Sequence, residues 1–191
     1  MTSREEISSA IQKLLGVEPE WSTDGRPRLE KSILRELKWP KNISPVSTVV
    51  MDTLPGPKGE SWPEPRFEIL IANLDSVGLK SVQCGGSSET KLGRALHDFS
   101  KLSSPDRAAV ISGACMWIGM ESPWRWIAAA LDTPQVVITG LSDSTLIWKD
   151  TFVVRQGKHA AESSVLGPIS VTDVAEAATL AMKFAMKKAS R

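Results

Sequence analysis

The segment Ser104–Leu131, SPDRAAVISGACMWIGMESPWRWIAAAL, does most to limit what this chain can fold into. It opens with a helix start: Ser104 in an N-cap position, Pro105 at the first helical position and Asp106 in the first turn. Apolar residues follow at Ala109, Val110, Ala114, Met116, Trp117, Ile118 and Met120. The pattern predicts one helix ending at a Gly119–Pro123 break, because Pro123 has no backbone N–H to donate. A shorter apolar segment, Trp124–Leu131, follows. Two helices meeting at a Gly/Pro corner would supply the helical half of a core.

The chain begins with an amphipathic helix. Thr2 and Ser3 stand at capping-box spacing from Glu5 and Glu6, and Ile7, Ala10, Ile11, Leu14 and Leu15 form one apolar stripe that stops at Gly16. A second helix is expected from Pro27 to about Trp39, with Leu29, Ile33, Leu34 and Leu37 on one side and Pro40 as terminator. From Ile43 the pattern changes. SPVSTVVMDTL, RFEILIANL and LKSVQC read as strands, the first two separated by the Pro/Gly-rich loop Pro55–Pro65 that displays Trp62. Glu89–Phe99 reads as a short helix. PQVVITGL and STLIWKDTFVV read as two further strands joined by a turn at Gly140–Ser144, and a strong helix closes the chain. That last helix has Thr172 and Asp173 as caps, and lysines at 183, 187 and 188 matched to its dipole.

This order predicts an α+β fold: a small, mainly antiparallel sheet packed against helices, with an N-terminal amphipathic helix pair and a C-terminal helix. The expected division is a helical extension at 1–42 and a core domain at 43–191. The helix pair can dock on its own domain, on another copy, or on a lipid surface.

Charge and motif searches exclude more than they support. The formal net charge is +1, so no global field points to nucleic acid or membrane. The two cysteines, Cys84 and Cys115, read as free thiols of a reducing compartment, and no apolar run reaches the roughly 20 residues of a spanning helix. Gly85–Gly86 lacks the Lys-Ser/Thr of a phosphate loop, and His97 and His159 are not spaced as zinc ligands. No nucleophile elbow, zincin motif or dinucleotide fingerprint is present. His97 beside Asp98 could be a base and its orienter, but a helix-surface pair is the simpler account. Asp75, Asp143 and Asp150 suit strand ends and turns for backbone reasons. The expectation is a non-enzyme, without metal or cofactor.

One charge feature stands out. Thr179–Arg191 holds Lys183, Lys187, Lys188 and Arg191 and no acidic residue. It is either a solvated helix end or a small basic patch for phosphate, RNA or an anionic headgroup. Arg125 between Trp124 and Trp126 is a second contact point of that type, or a packed corner.

DRAAVISGACMWIGMESPWRWIAAALD resembles the central segment of rhabdovirus matrix proteins, through Ala108, Ala109, Val110, Met116, Trp117, Ile118, Gly119, Met120, Pro123, Trp124, Ile127 and Ala129. EAATLAMKFAMKKAS is similar to that family's late helix, through Glu176, Ala178, Lys187, Lys188, Ala189 and Ser190. The chain departs from the animal-virus members: it has no tyrosine, so no Pro-Pro-x-Tyr motif, and it begins with amphipathic helices. The resemblance implies a divergent structural protein of the virion. Such a protein self-associates and links the viral ribonucleoprotein to the inner face of the envelope, in host cytoplasm and at host membranes. Its implied partners are another copy of itself, the nucleocapsid, an anionic membrane and RNA. Position and composition nominate Ile7, Ile11, Leu14 and Trp62 for self-association. They nominate Trp124, Arg125, Lys183, Lys187 and Lys188 for membrane or nucleocapsid binding. The alternative is a small viral RNA-binding or capsid-like protein, using the basic helix end and exposed Trp for phosphate and stacking contacts.

Overall fold

The structure, a computed structural model, describes residues 3–34, 39–56, 59–85, 91–140, 147–156 and 166–189. Helix α1 (Arg4–Leu15) starts at a complete capping box. The Ser3 hydroxyl accepts the Glu6 N–H at 3.2 Å, and the Glu6 carboxylate accepts the Ser3 N–H at 2.7 Å. Gly16 ends it at a φ of 73°, the left-handed conformation that glycine adopts without a Cβ clash. Two short strands, β1 (Glu20–Trp21) and β2 (Pro27–Arg28), pair antiparallel, and a single 3-10 turn follows at Lys31–Ile33. The expected second helix is therefore absent over 27–34, and 35–38 lie outside the described residues.

Among the described residues the main sheet has six strands: β3 (Thr48–Asp52), β4 (Lys80–Gly85), β5 (His97–Asp98), β6 (Met116–Met120), β7 (Gln135–Thr139) and β8 (Thr151–Arg155). Their spatial order is β5-β4-β3-β6-β7-β8, and every neighbouring pair is parallel. Side chains alternate across it. Val49 and Met51 enter one core with Met116, Ile118, Val136 and Ile138, and Val50 enters the other with Trp117 and Val137. Helices α2 (Glu64–Ser76) and α5 (Val171–Ala189) cover the first face, while α1, α3 (Ser104–Gly113) and α4 (Pro123–Ala130) cover the second. Both faces being covered, β3, β6 and β7 are buried along their whole length.

The architecture is thus a doubly wound α/β sandwich, not an α+β fold with a small antiparallel sheet. Three local differences produce the change. Met116–Met120, expected as the end of a helix, is a central strand: α3 stops at Gly113, and a strand buried on both faces is an unbroken apolar run without alternation. RFEILIANL alternates like a strand, yet its Phe67, Leu70, Ile71 and Leu74 also recur at helical spacing. It forms α2, burying those four and exposing Ile69. Strand β8 pairs parallel with β7, so the two do not form the expected hairpin, and part of the expected turn at Gly140–Ser144 lies outside the described residues. The short helix expected at 89–99 is instead irregular from Lys91 and ends in β5. The N-terminal helix belongs to this same body: Ile7 and Ile11 are fully buried with Val110, Ile111 and Ile127.

Candidate functional site

Numbered by sequence, the six strands run 3-2-1-4-5-6, and the order reverses between β3 and β6. At that reversal β3 continues to α2 on one face and β6 turns into α4 on the other, which opens a crevice at the C-terminal ends of the strands. Asp52 closes β3 there, opposite Gly119 of β6 and Gly85 of β4.

Asp52 is only 1% exposed. One carboxylate oxygen accepts the Leu54 N–H at 3.0 Å and the other accepts the Ser122 hydroxyl. Ser122 is also the N-cap of α4, its oxygen accepting the Trp124 N–H at 3.3 Å. One hydroxyl therefore ties the end of β3 to the start of the helix after β6. Burial pushes the Asp52 carboxyl up to about 6, against the Ser122 and Leu54 hydrogen bonds and the more distant Arg107, which favour the ionised form. Both flanking glycines are required. A Cβ at Gly85 would stand 1.8 Å from Asp52 Oδ1, and one at Gly119 would stand 2.8 Å from both Asp52 Cβ and its carbonyl oxygen.

Beside this pair, Glu121 leaves β6 at the rim and binds Arg125 one helical turn on, Oε1 to Nη1 at 2.6 Å. Arg125 is fully buried, with its Cζ 4.3 Å from the centroid of the Trp126 ring. Burial lowers its pKa to about 10, and Glu121 opposes the shift. Across the crevice, the segment after β3 folds over the sheet edge. The Leu166 N–H donates to Ser61 O at 2.8 Å, Trp62 Nε1 donates to Ile169 O at 3.0 Å, and the buried Glu60 reaches towards Gly140 at the end of β7. These contacts join the 59–63 and 166–170 segments to each other at this end of the molecule. The Asp52 and Glu121 carboxylates and the Ser122 hydroxyl are buried here, with Ser122 held by Asp52 and Glu121 by Arg125. Among the described residues no cluster of three His, Cys, Asp or Glu side chains could hold a metal ion, and no helix is long and apolar enough to cross a membrane.

The residues nominated from sequence are scattered by this fold. Ile7 and Ile11 lie in the core and Leu14 is half-buried against it. Trp62 is buried, edge-on to Phe67 with ring centroids 4.8 Å apart. Trp124 and Arg125 are buried in α4 at the crevice, with Arg107 5.3 Å from the Trp124 ring centroid. Lys183, Lys187 and Lys188 are exposed on α5, the last two at the opposite end of the sheet. His97 and Asp98 are successive strand residues and point to opposite faces. His159 and Asp143 lie outside the described residues. Asp52, Ser122 and Glu121 escaped sequence reasoning. The one signal for them was Ser122-Pro123 as a helix start directly after an apolar strand.

No protein-family model matches this chain, and neither does any curated protein sequence. Solved structures do. E. coli ADP-heptose lipopolysaccharide heptosyltransferase II aligns with a TM-score of 0.62 at 15% identity, over 96% of this chain and 53% of that one. E. coli heptosyltransferase WaaC with ADP-2-deoxy-2-fluoro heptose gives 0.60 at 19%, over 88% and 52%. A family 9 glycosyl transferase from Veillonella parvula gives 0.58 at 18%, over 73% and 47%. The chain spans about half the length of the solved structures it matches.

These neighbours overturn the viral reading. The matrix-protein resemblance rested on a helix–turn–helix at 104–131 that is in fact helix, central strand and helix, and its matching residues are mostly common apolar types. With it go the virion location, the nucleocapsid, membrane, RNA and self-association partners, and the RNA-binding or capsid-like alternative. The expectation of a non-enzyme falls too, since the structural neighbours are enzymes of bacteria. What the comparison establishes is the fold: a six-stranded parallel α/β domain like part of these solved structures.

Proposed function

We propose that this chain binds a nucleotide-diphosphate sugar in the crevice between β3 and β6 and acts in glycosyl transfer. The observation that carries the reading is the strand-order reversal, with Glu121 and Ser122 at the end of β6, in a fold shared with glycosyltransferases. One of those structures contains an ADP-linked sugar analogue. The amino end of α4 faces the crevice, and its dipole favours the negative charge of a diphosphate.

In the reaction, an acceptor hydroxyl oxygen bonds to the anomeric carbon while the bond from that carbon to the terminal phosphate oxygen breaks. The nucleoside diphosphate leaves with the electron pair, and the hydroxyl proton passes to a carboxylate. Glu121 is the carboxylate placed for that or for orienting sugar hydroxyls, held in direction by Arg125. Ser122 and Asp52 are positioning residues: they lock the start of α4 to the sheet.

Calorimetric titration with ADP-heptose, ADP-glucose and UDP-glucose tests the proposal. Saturable binding of an ADP-sugar is expected, weakened by about tenfold, or roughly 1.4 kcal/mol, in Glu121→Gln. A folded protein that binds none of the three at millimolar concentration would overturn it.

A further inference from the structure

Asp52 takes no part in the transfer chemistry, yet its two oxygens are bound differently. Oδ1 accepts the Leu54 N–H at 3.0 Å, and Oδ2 accepts the Ser122 hydroxyl. Ser122 Oγ in turn accepts the Trp124 N–H at 3.3 Å, so the carboxylate reaches the first turn of α4 through one hydroxyl. Asp52 and Ser122 are both buried, so water does not stand in for these partners. Gly85 and Gly119 press so close that a Cβ on either would collide with Asp52, which confines the side chain to this place.

This geometry allows two proton arrangements. In the ionised state the Ser122 hydroxyl donates to Oδ2, and a hydroxyl that donates to an anion is the stronger acceptor for Trp124. A proton taken up from solvent goes to Oδ2, because Oδ1 already faces the Leu54 donor. Oδ2–H then donates to Oγ, and the hydrogen of Ser122 has to leave that line. Oγ now accepts from Asp52 and Trp124 at once, which weakens its bond to the helix. The charge changes as well. An ionised carboxylate behind the amino end of α4 offsets the positive pole of the helix, and a neutral one does not.

The surrounding groups leave the choice of state to Asp52. Burial raises its carboxyl to about 6, outweighing the hydrogen bonds from Ser122 and Leu54 and the charge of Arg107. Arg107 stands on α3 against the Trp124 ring, 5.3 Å from its centroid. On β4, burial and the Asp52 charge keep the Cys84 thiol protonated. At the β6–α4 corner Glu121 and Arg125 neutralise one another. Glu60, on the segment after β3, lies against Gly56 and Gly140.

We propose that Asp52 and Ser122 form a proton-operated switch: proton uptake on Asp52 Oδ2 reverses the hydrogen bond to Ser122, loosens the cap of α4 and removes a negative charge from behind that helix. The switch is a property of the fold itself. Its consequence for a ligand rests on the nucleotide-sugar reading above. A diphosphate at the crevice binds the protonated form more tightly, because it meets the amino end of α4 without a competing buried charge.

The test has two arms. The first follows the ligand-free chain from pH 4 to pH 8 by carbon-13 NMR of the Asp52 carboxyl and by the amide signal of Trp124. Both are expected to move with one midpoint at about 6. On the acid side the Trp124 amide should lose exchange protection about fivefold, as for a weakened N-cap. In Ser122→Ala the Asp52 midpoint should rise, because a hydrogen bond to the ionised form is gone, and the Trp124 step should vanish. A Trp124 amide that ignores the Asp52 titration, or an Asp52 midpoint at the ordinary carboxylate value, would overturn the switch. The second arm is calorimetric titration with ADP-glucose, whose diphosphate does not titrate between pH 5 and pH 8. Binding about tenfold tighter at pH 5 than at pH 8 is expected, one pKa unit of coupling. Asp52→Asn, whose amide donates to Ser122 as the protonated acid does, should bind at pH 8 as tightly as the parent chain at pH 5. Equal affinity of the parent chain at both pH values would overturn the link to ligand and leave the nucleotide-sugar reading intact. No binding at either pH would overturn that reading, and the first arm alone then decides the switch.

Discussion

Replacing Asp52 by asparagine should change how stability depends on pH, and the size of the change follows from where Asp52 sits. Burial lifts its carboxyl from an ordinary 3.8 to about 6, so the folded state keeps a proton that the unfolded chain has released between those values. The unfolded state binds fewer protons in that window, so stability falls as pH rises from about 4 through about 6 and levels off above. A shift of roughly two units corresponds to about 3 kcal/mol. Asparagine keeps the side-chain shape, can still accept the Leu54 N–H, and can donate to the Ser122 oxygen, but does not titrate. All other ionisable groups are common to both proteins and cancel in the difference. Urea unfolding of the two, measured from pH 4 to pH 8, should therefore give a difference in stability that moves in favour of the Asp52→Asn variant by about 3 kcal/mol across the window. A flat difference curve would refute the reasoning. It would mean that Asp52 ionises normally and that the crevice floor is wet.

Two further substitutions test the packing. Arg125→Ala leaves Glu121 at the crevice without its cation and should cost about 3–5 kcal/mol in urea unfolding, whereas Glu121→Leu with Arg125→Met should be close to neutral. A loss below about 1 kcal/mol in the single variant would show that the pair is solvated. Ile11→Ala should lower global stability by about 2–5 kcal/mol, because α1 packs on α3 and α4 within one core. Hydrogen exchange checks this: loss of protection confined to α1 would show instead that the helix is a detachable extension.

What was legible from sequence was local. The α1 capping box, the Gly16 stop, the apolar stripe of α1 and the closing helix were all readable, because caps and helical stripes are decided within a few residues of chain. Strands β3, β4 and β7 were readable from their β-branched or apolar runs. Strand β6 was not, since five buried apolar residues after a helix look like more helix. Helix α2 was misread because Phe67, Ile69 and Ile71 satisfy a period of two while Phe67, Leu70, Ile71 and Leu74 satisfy 3.6. Which face met the core decided between them.

The candidate site shows the same division. Nothing adjacent in sequence joins Asp52 to Ser122, 70 positions apart, or marks Gly85 and Gly119 as the only residues that fit around that carboxylate. Glu121 and Arg125 were close in sequence, yet only burial turns them from a surface pair into a fixed one. By itself, then, the sequence determined where several helices begin and end and which runs must be buried, because those are short-range matters of capping, period and polarity. The direction and order of the strands, and with them the crevice at the β3–β6 reversal, were decided only by the tertiary structure. Strand pairing is a long-range choice made by packing helices on both faces of one sheet, and no local pattern encodes it.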